Sequence, residues 1–283
     1  MATLSHPGPK LVRLVLCCVV LSACAFSHPD PSSQARLLVA KGRSAEAARE
    51  LEAELGKHPE DVPARRLLIR IYASTGQLDH AQAQAEALAQ RLGPASPVPW
   101  VELGYALEFA HRYDEALDQY DRAAEVAPRD ALGPLTGGMR AARWGELELA
   151  EPRLLEALRR EPRNSEAWHA LGLVRANRGD LAGATDAYNS GLRADPHALE
   201  NHVGLATVAL LRGDPAAALA EYDVLVSARP KFADAQLGRA WALTKLGRFA
   251  EAERALERAT DLGASARAVA ASRRALEATR TAR

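Results

Sequence analysis

The side chains able to do acid, base or nucleophilic chemistry are sparse in this sequence and mostly unpatterned. Its eight histidines are scattered. No His-Glu-x-x-His pair, cysteine cluster, phosphate-cradling Gly-x-x-x-x-Gly-Lys or Gly-x-Ser-x-Gly elbow accompanies them. His197 and His202 straddle a turn and read as surface residues rather than ligands, and adjacent carboxylates such as Asp114 and Glu115 fall on solvated helix faces. The expectation is therefore no catalytic residue, no metal site, no small-molecule substrate and no enzyme. Cysteine is different: Cys17, Cys18 and Cys24 all lie in one apolar N-terminal stretch, and a thiol there can be modified covalently.

Lys10 and Arg13 precede the apolar run from Leu14 to Phe26, which reads as a signal peptide and is too short to span a bilayer comfortably as a helix. Leu21-Ser22-Ala23-Cys24 resembles the bacterial lipobox. That resemblance implies removal of residues 1–23, diacylglycerol on the Cys24 sulfur and no other cofactor. Ala23-Cys24-Ala25 also satisfies the small-x-small rule of ordinary signal cleavage, which would release a soluble chain beginning at Phe26. Lipidation would leave one cysteine, already occupied, and no disulfide. Two or three acyl chains, at about 0.8 kcal/mol per buried CH₂, would anchor it stably. Similarity to lipoprotein sorting rules, with Ala25 rather than aspartate after the cysteine, implies the periplasmic face of the outer membrane. Residues 24–33 form a Pro- and Ser-rich tether of about 30 Å at full stretch.

The elements behind the tether declare themselves between Trp100 and Pro128. Trp100, Leu103, Gly104 and Leu107 share one helical face, and Ala116, Tyr120, Ala123 and Ala124 share another beyond a break at His111 and Arg112. Small Gly104 and Ala116 let two helices approach closely, Tyr120 fills the gap, and Pro128 ends the second helix. The pattern recurs every 34 residues: prolines at Pro128, Pro162, Pro196 and Pro230, alanines at Ala116, Ala150, Ala184, Ala218 and Ala252, and inter-helix glycines at Gly145, Gly179, Gly213 and Gly247. Leu154, Tyr188, Tyr222 and Leu256 repeat the Tyr120 position. This register resembles the tetratricopeptide repeat, which implies an all-α, right-handed superhelical solenoid. Gly76 with Ala81, and Gly42 with Ala47, Leu51 and Pro59, extend it to about seven units over residues 34–263: 28–61, 62–96, 97–130, 131–164, 165–198, 199–232 and 233–263. Glu54 departs from the small residue expected at its place, and the first helix of the first unit is short.

Two stretches interrupt the regularity. Between Ala89 and Trp100 the chain holds one extra residue and Pro94, Pro97 and Pro99, either a longer turn or a hinge. Pro152 falls in the early turns of a helix. Residues 264–283 read as a final helix with Ala266, Val269, Ala270 and Leu276 on one side and five arginines elsewhere, either a polar-backed cap or a basic surface for an acidic partner or phospholipid. Asp180, Asp214 and Pro215 stand where helices should begin. The 36 basic residues balance 36 acidic ones, and losing Lys10 and Arg13 with the leader leaves the chain slightly acidic. Such a charge does not call for a nucleic-acid partner.

In the tetratricopeptide family fixed positions of each first helix face a concave groove. Carried onto this sequence they give Val101, Tyr105, Glu108 and Phe109; Leu135, Met139 and Arg143; His169, Leu173 and Asn177; Val203, Thr207, Leu210 and Leu211; and Leu237, Trp241 and Lys245. Trp100, Trp168, Tyr120, Tyr188 and Tyr222 are assigned to packing between helices. The lining is expected to be largely apolar and to suit a protein partner that inserts hydrophobic side chains. Val101 with Tyr105, and Leu135 with Met139, stand where chaperone-tail adaptors carry Lys and Asn, so that ligand is not expected. Lipid anchor and repeats together resemble the pilotin lipoproteins of type IVa and tight-adherence pilus biogenesis, which implies binding of secretin subunits. An envelope adaptor recruiting peptidoglycan hydrolases or supporting polysaccharide export is the other reading. A soluble periplasmic peptide binder follows only if the lipobox fails.

Overall fold

The computed structural model describes residues 31–282, so the stretch read as a signal peptide, Cys24 and residues 24–30 of the expected tether lie outside the described residues. The described chain is an all-α solenoid of fifteen helices. Seven hairpins follow one another: α1 (Pro31–Ala40) with α2 (Ser44–Lys57), α3 (Val62–Ser74) with α4 (Leu78–Leu92), α5 (Val98–Phe109) with α6 (Tyr113–Val126), α7 (Leu132–Trp144) with α8 (Leu147–Arg160), α9 (Ser165–Asn177) with α10 (Leu181–Ala194), α11 (Leu199–Leu211) with α12 (Pro215–Ala228), and α13 (Ala233–Leu246) with α14 (Phe249–Asp261). The last helix, α15 (Ala266–Thr281), packs on α13 and α14.

The period of the sequence becomes local structure through its turns. Gly145, Gly179, Gly213 and Gly247 all take the left-handed conformation, with φ between 71° and 90°, that closes a helix C-terminus without steric cost. Helices α6, α8, α10 and α12 each stop two residues before the recurring proline. The carboxylates of Asp180 and Asp214 cap α10 and α12, accepting from Gly183 N at 2.8 Å and Ala217 N at 3.0 Å, and Pro215 opens α12. Asp61 and Asn164 cap α3 and α9 in the same way. Pro152 lies inside α8 on an exposed position, where its missing N–H leaves the Glu148 carbonyl without a helical donor.

Packing follows the small and large pattern. Ala116, Ala150, Ala184, Ala218 and Ala252 are all fully buried. Tyr188 fills the space between Gly172 of its own hairpin and Gly204 of the next, and Leu154 sits against Gly138 in the same manner. A Cβ on Gly138 would stand 2.7 Å from Leu154 Cγ, so the glycine is required by the neighbour. Arg160 makes a different contact. Its guanidinium is nearly buried and its Nη1 donates to the carbonyls of Ala124, Ala127 and Asp130 at 2.9–3.1 Å, closing the C-terminus of α6.

The extra residue before Trp100 is taken up in the turn from 93 to 97, and the packing runs through it. One buried cluster extends from Ala35 to Ala187 without a break at this point. Glu102, fully buried at the start of α5, is held across the junction by Arg66 at 2.6 Å and Arg70 at 2.8 Å. At the other end Val269 and Leu276 bury one side of α15, while Arg267, Arg273 and Arg274 stay exposed.

Candidate docking surface

The first helices of the middle hairpins place two chemically different hollows on the solenoid. One lies between α3, α5 and α7, with a volume of about 830 Å³. Tyr105, half-buried, carries Arg140 over its ring at 4.7 Å and Arg70 at 5.9 Å, and meets Tyr120 edge-on at 5.8 Å. Glu108 accepts from the Tyr120 hydroxyl at 3.0 Å and pairs with Arg140 at 3.3 Å. Burial, reinforced by the neighbouring Glu108 carboxylate, holds the Tyr120 hydroxyl far above its usual titration range. The hydrogen bond to Glu102 likewise raises the Arg70 guanidinium. Phe109 is 61% exposed at the mouth, facing a wall formed by Tyr113 and Trp144, whose rings are 4.8 Å apart.

The second hollow, of about 320 Å³, lies between α9 and α11. It brings together His169, Leu173, Asn177, Val203, Thr207 and Leu211, in a lining that is mostly apolar. Leu173, Val203 and Leu211 are respectively 43%, 38% and 61% exposed, a row of large aliphatic side chains in solvent. His169 lies against Tyr188 at 5.7 Å, and its Nδ1 is shut from solvent with no hydrogen-bond partner. That burial pushes the imidazole below its ordinary pKa.

The sequence-derived positions therefore divide. Tyr105, Phe109 and Arg143 meet in the first hollow, and His169, Leu173, Asn177, Val203 and Thr207 in the second. Val101 and Leu135 are buried in the main core and offer almost no surface. Met139 is half-buried against the same core, and Leu237 and Trp241 are half-buried against the C-terminal one, where Lys245 stands 5.2 Å from the Trp241 ring. Among the aromatic residues assigned to packing, Tyr120, Tyr188 and Trp100 are buried, whereas Trp168 and Tyr222 keep partial exposure.

The lining is also less uniformly apolar than its register positions suggest. Arg140, Tyr113 and Trp144 lie outside those positions and reach the first hollow through long or flat side chains, and Arg70 stands in α3 at the register position that Tyr105 holds in α5. One signal for this region is visible in the register itself. His111 occupies the turn position that is glycine in the other six hairpins, and it adopts φ 59°, the one positive φ of a non-glycine residue among the described residues. Its Nδ1 is 3.0 Å from the Tyr113 hydroxyl.

Among the described residues no three His, Cys, Asp or Glu side chains are grouped so as to hold a metal, and no helix is long and apolar enough to cross a membrane. Residues 33–97 and 135–198 match one tetratricopeptide-repeat family model, and residues 209–276 match another. No curated protein sequence matches the chain. Among solved structures, the C-terminal part of a TPR repeat-containing protein from Cytophaga hutchinsonii superimposes with a TM-score of 0.62 at 16% identity, covering 84% of this chain and 98% of that one. A tetratricopeptide repeat protein from Parabacteroides merdae gives 0.51 at 17% identity over 88% and 97%. The MamA protein gives 0.54 at 19% identity over 59% of this chain and 91% of its own.

Proposed function

Since the chain belongs to the tetratricopeptide-repeat family, a family of protein-interaction scaffolds, we propose that it is a lipid-anchored docking protein of the bacterial envelope that acts as a pilotin, binding secretin subunits for pilus biogenesis. In this reading Cys24 carries the lipid, the solenoid projects from the periplasmic face of the outer membrane, and partner binding rather than catalysis is its work.

The observation that carries the proposal is the uncovered aliphatic row of Leu173, Val203 and Leu211 beside the hollow between α9 and α11. A subunit in transit that exposed apolar surface before assembly would be kept from aggregating by having that surface covered. Side chains inserted into a hollow of this size supply the buried anchors on which protein interfaces depend.

The test is a pull-down of the native lipidated protein from detergent-solubilised membranes, with mass spectrometry of what co-purifies and a Cys24→Ser variant alongside. Secretin recovered with the wild type, and missing from the outer membrane when Cys24→Ser replaces it, supports the pilotin. Peptidoglycan hydrolases or polysaccharide-export proteins recovered without secretin overturn it in favour of an envelope adaptor.

A further inference from the structure

We infer that the hollow between α3, α5 and α7 is a docking site for an acidic protein segment with an aromatic or large aliphatic anchor, a second station on the scaffold that is separate from the aliphatic hollow. This inference rests on the reading of the chain as a protein-docking scaffold and adds the chemistry of the partner.

Charge carries the argument. Over the whole sequence basic and acidic residues balance. At this hollow they do not, because Arg70, Arg140 and Arg143 line it with Glu108 as the one carboxylate. Even counting Glu102 beneath, shared by Arg66 and Arg70, four guanidiniums face two carboxylates. Arg70 and Arg140 are held in place by ion pairs and by the Tyr105 ring. Arg143 is exposed at the end of α7, and no hydrogen bond or ion pair from another described residue engages it. A fixed cationic floor with one free guanidinium is complementary to carboxylates, which arginine binds through two parallel hydrogen bonds.

Shape supplies the anchor. Phe109 and the Tyr113 and Trp144 wall leave aromatic faces in solvent next to Arg143, and such flat, stiff side chains accept an inserted ring or aliphatic chain at small entropic cost. The strained turn at His111 borders the same hollow, in the position where the other hairpins use glycine. Left-handed backbone at a non-glycine residue is retained where its side chain has a use, and here the ring meets Tyr113 on the wall of the site. Glu108 inside the hollow and the neutral chain as a whole favour a carboxylate-bearing protein segment over nucleic acid, whose closely spaced phosphates need an uninterrupted basic track.

The test is a fluorescence-anisotropy titration with two labelled synthetic peptides of about ten residues. One carries two phenylalanines among aspartates and glutamates, and the other replaces every acidic residue by lysine. The acidic peptide is expected to bind at least about tenfold more tightly, and to weaken by about tenfold in Arg143→Glu, in Phe109→Ala, and between about 0.05 and 0.5 M salt. Arg163→Glu makes the same charge change at an exposed residue outside the hollow and should leave binding unchanged.

Equal binding of the two peptides overturns the inference. An equal loss in Arg163→Glu and Arg143→Glu does so as well, and so does displacement of the acidic peptide by oligo-dT at lower concentration than by unlabelled peptide. Failure of the titration with a successful secretin pull-down removes this station alone. Failure of both removes the docking scaffold.

Discussion

Gly104 and Tyr120 occupy complementary halves of one space: a Cβ on Gly104 would stand 2.8 Å from both Cδ1 and Cζ of the tyrosine, and nearer still to Cε1. The ring is fully buried and its hydroxyl is tied to Glu108, so it cannot swing clear. Gly104→Ala is expected to destabilise by about 1–3 kcal/mol in urea denaturation, the usual cost of overpacking. In a Tyr120→Leu background the added methyl should cost less than half as much, a coupling that a double-mutant cycle reads directly. Equal costs in both backgrounds would mean that the two residues are not in contact.

The turn at His111 gives a prediction of opposite sign. Left-handed backbone is unfavourable for a residue with a Cβ by about 1–2 kcal/mol, and glycine escapes that cost while losing more entropy on folding. His111→Gly should therefore stabilise by about 0.5–1 kcal/mol, and His111→Val should destabilise. Denaturant midpoints of the three proteins at constant slope are the check, and a less stable glycine variant would contradict the strain.

Arg160 joins two hairpins through three carbonyls rather than through a carboxylate across the interface. Arg160→Met keeps the apolar stem and removes the donors, leaving the end of α6 unsatisfied. The expected cost is about 1–3 kcal/mol. Hydrogen exchange should rise first in the last turn of α6 and in the turn that follows it.

Acid should weaken the fold in two steps. Burial pushes the His169 imidazole below its ordinary value, against an opposing pull from Glu200, so the unfolded chain takes up a proton near pH 6.5 before the folded one does. Stability therefore falls as pH drops below about 6.5, until the folded imidazole also titrates. Glu156 is held at about 2 by hydrogen bonds from Arg159 and Arg160, so the stability it contributes is present above its unfolded value near 4.5 and is lost as pH falls from there toward 2. Melting temperatures at about pH 7.5, 5.5 and 3.5 should fall in that order, with His169→Phe flattening the first interval and Glu156→Gln the second. A rise between pH 7.5 and 5.5 would refute the assignment to His169.

The hairpins and their register were legible in the sequence because each is fixed by local chemistry repeated at constant spacing: glycine where φ must be positive, proline where a helix must stop, alanine and tyrosine where two helices meet. Asp180, Asp214 and Pro215 took the capping places expected of them. The surface was less legible. A family position gives the direction of a backbone, and it does not give how far a neighbouring chain will rise over it. Val101 and Leu135 are covered for that reason. Arg140 was missed for the converse reason, since its stem carries a charge into a hollow that its own helical position does not face, whereas Arg70 holds in α3 the register position that Tyr105 holds in α5. Beside Tyr105, Phe109 and Arg143, the histidine at a glycine position was a further mark of that hollow visible in the letters alone.

The ion pairs of Glu102 with Arg66 and Arg70 lie at the connection that departs from the 34-residue period, and this matters for a solenoid under tension. Each hairpin packs chiefly on its sequence neighbours, so tension along the solenoid passes through every interface in series and the weakest yields first. A turn lengthened by one residue would be a natural place to part. The buried carboxylate, gripped from the preceding hairpin by two guanidiniums, makes it a rivet instead, so a pulling experiment should part another interface before the junction at Glu102 opens.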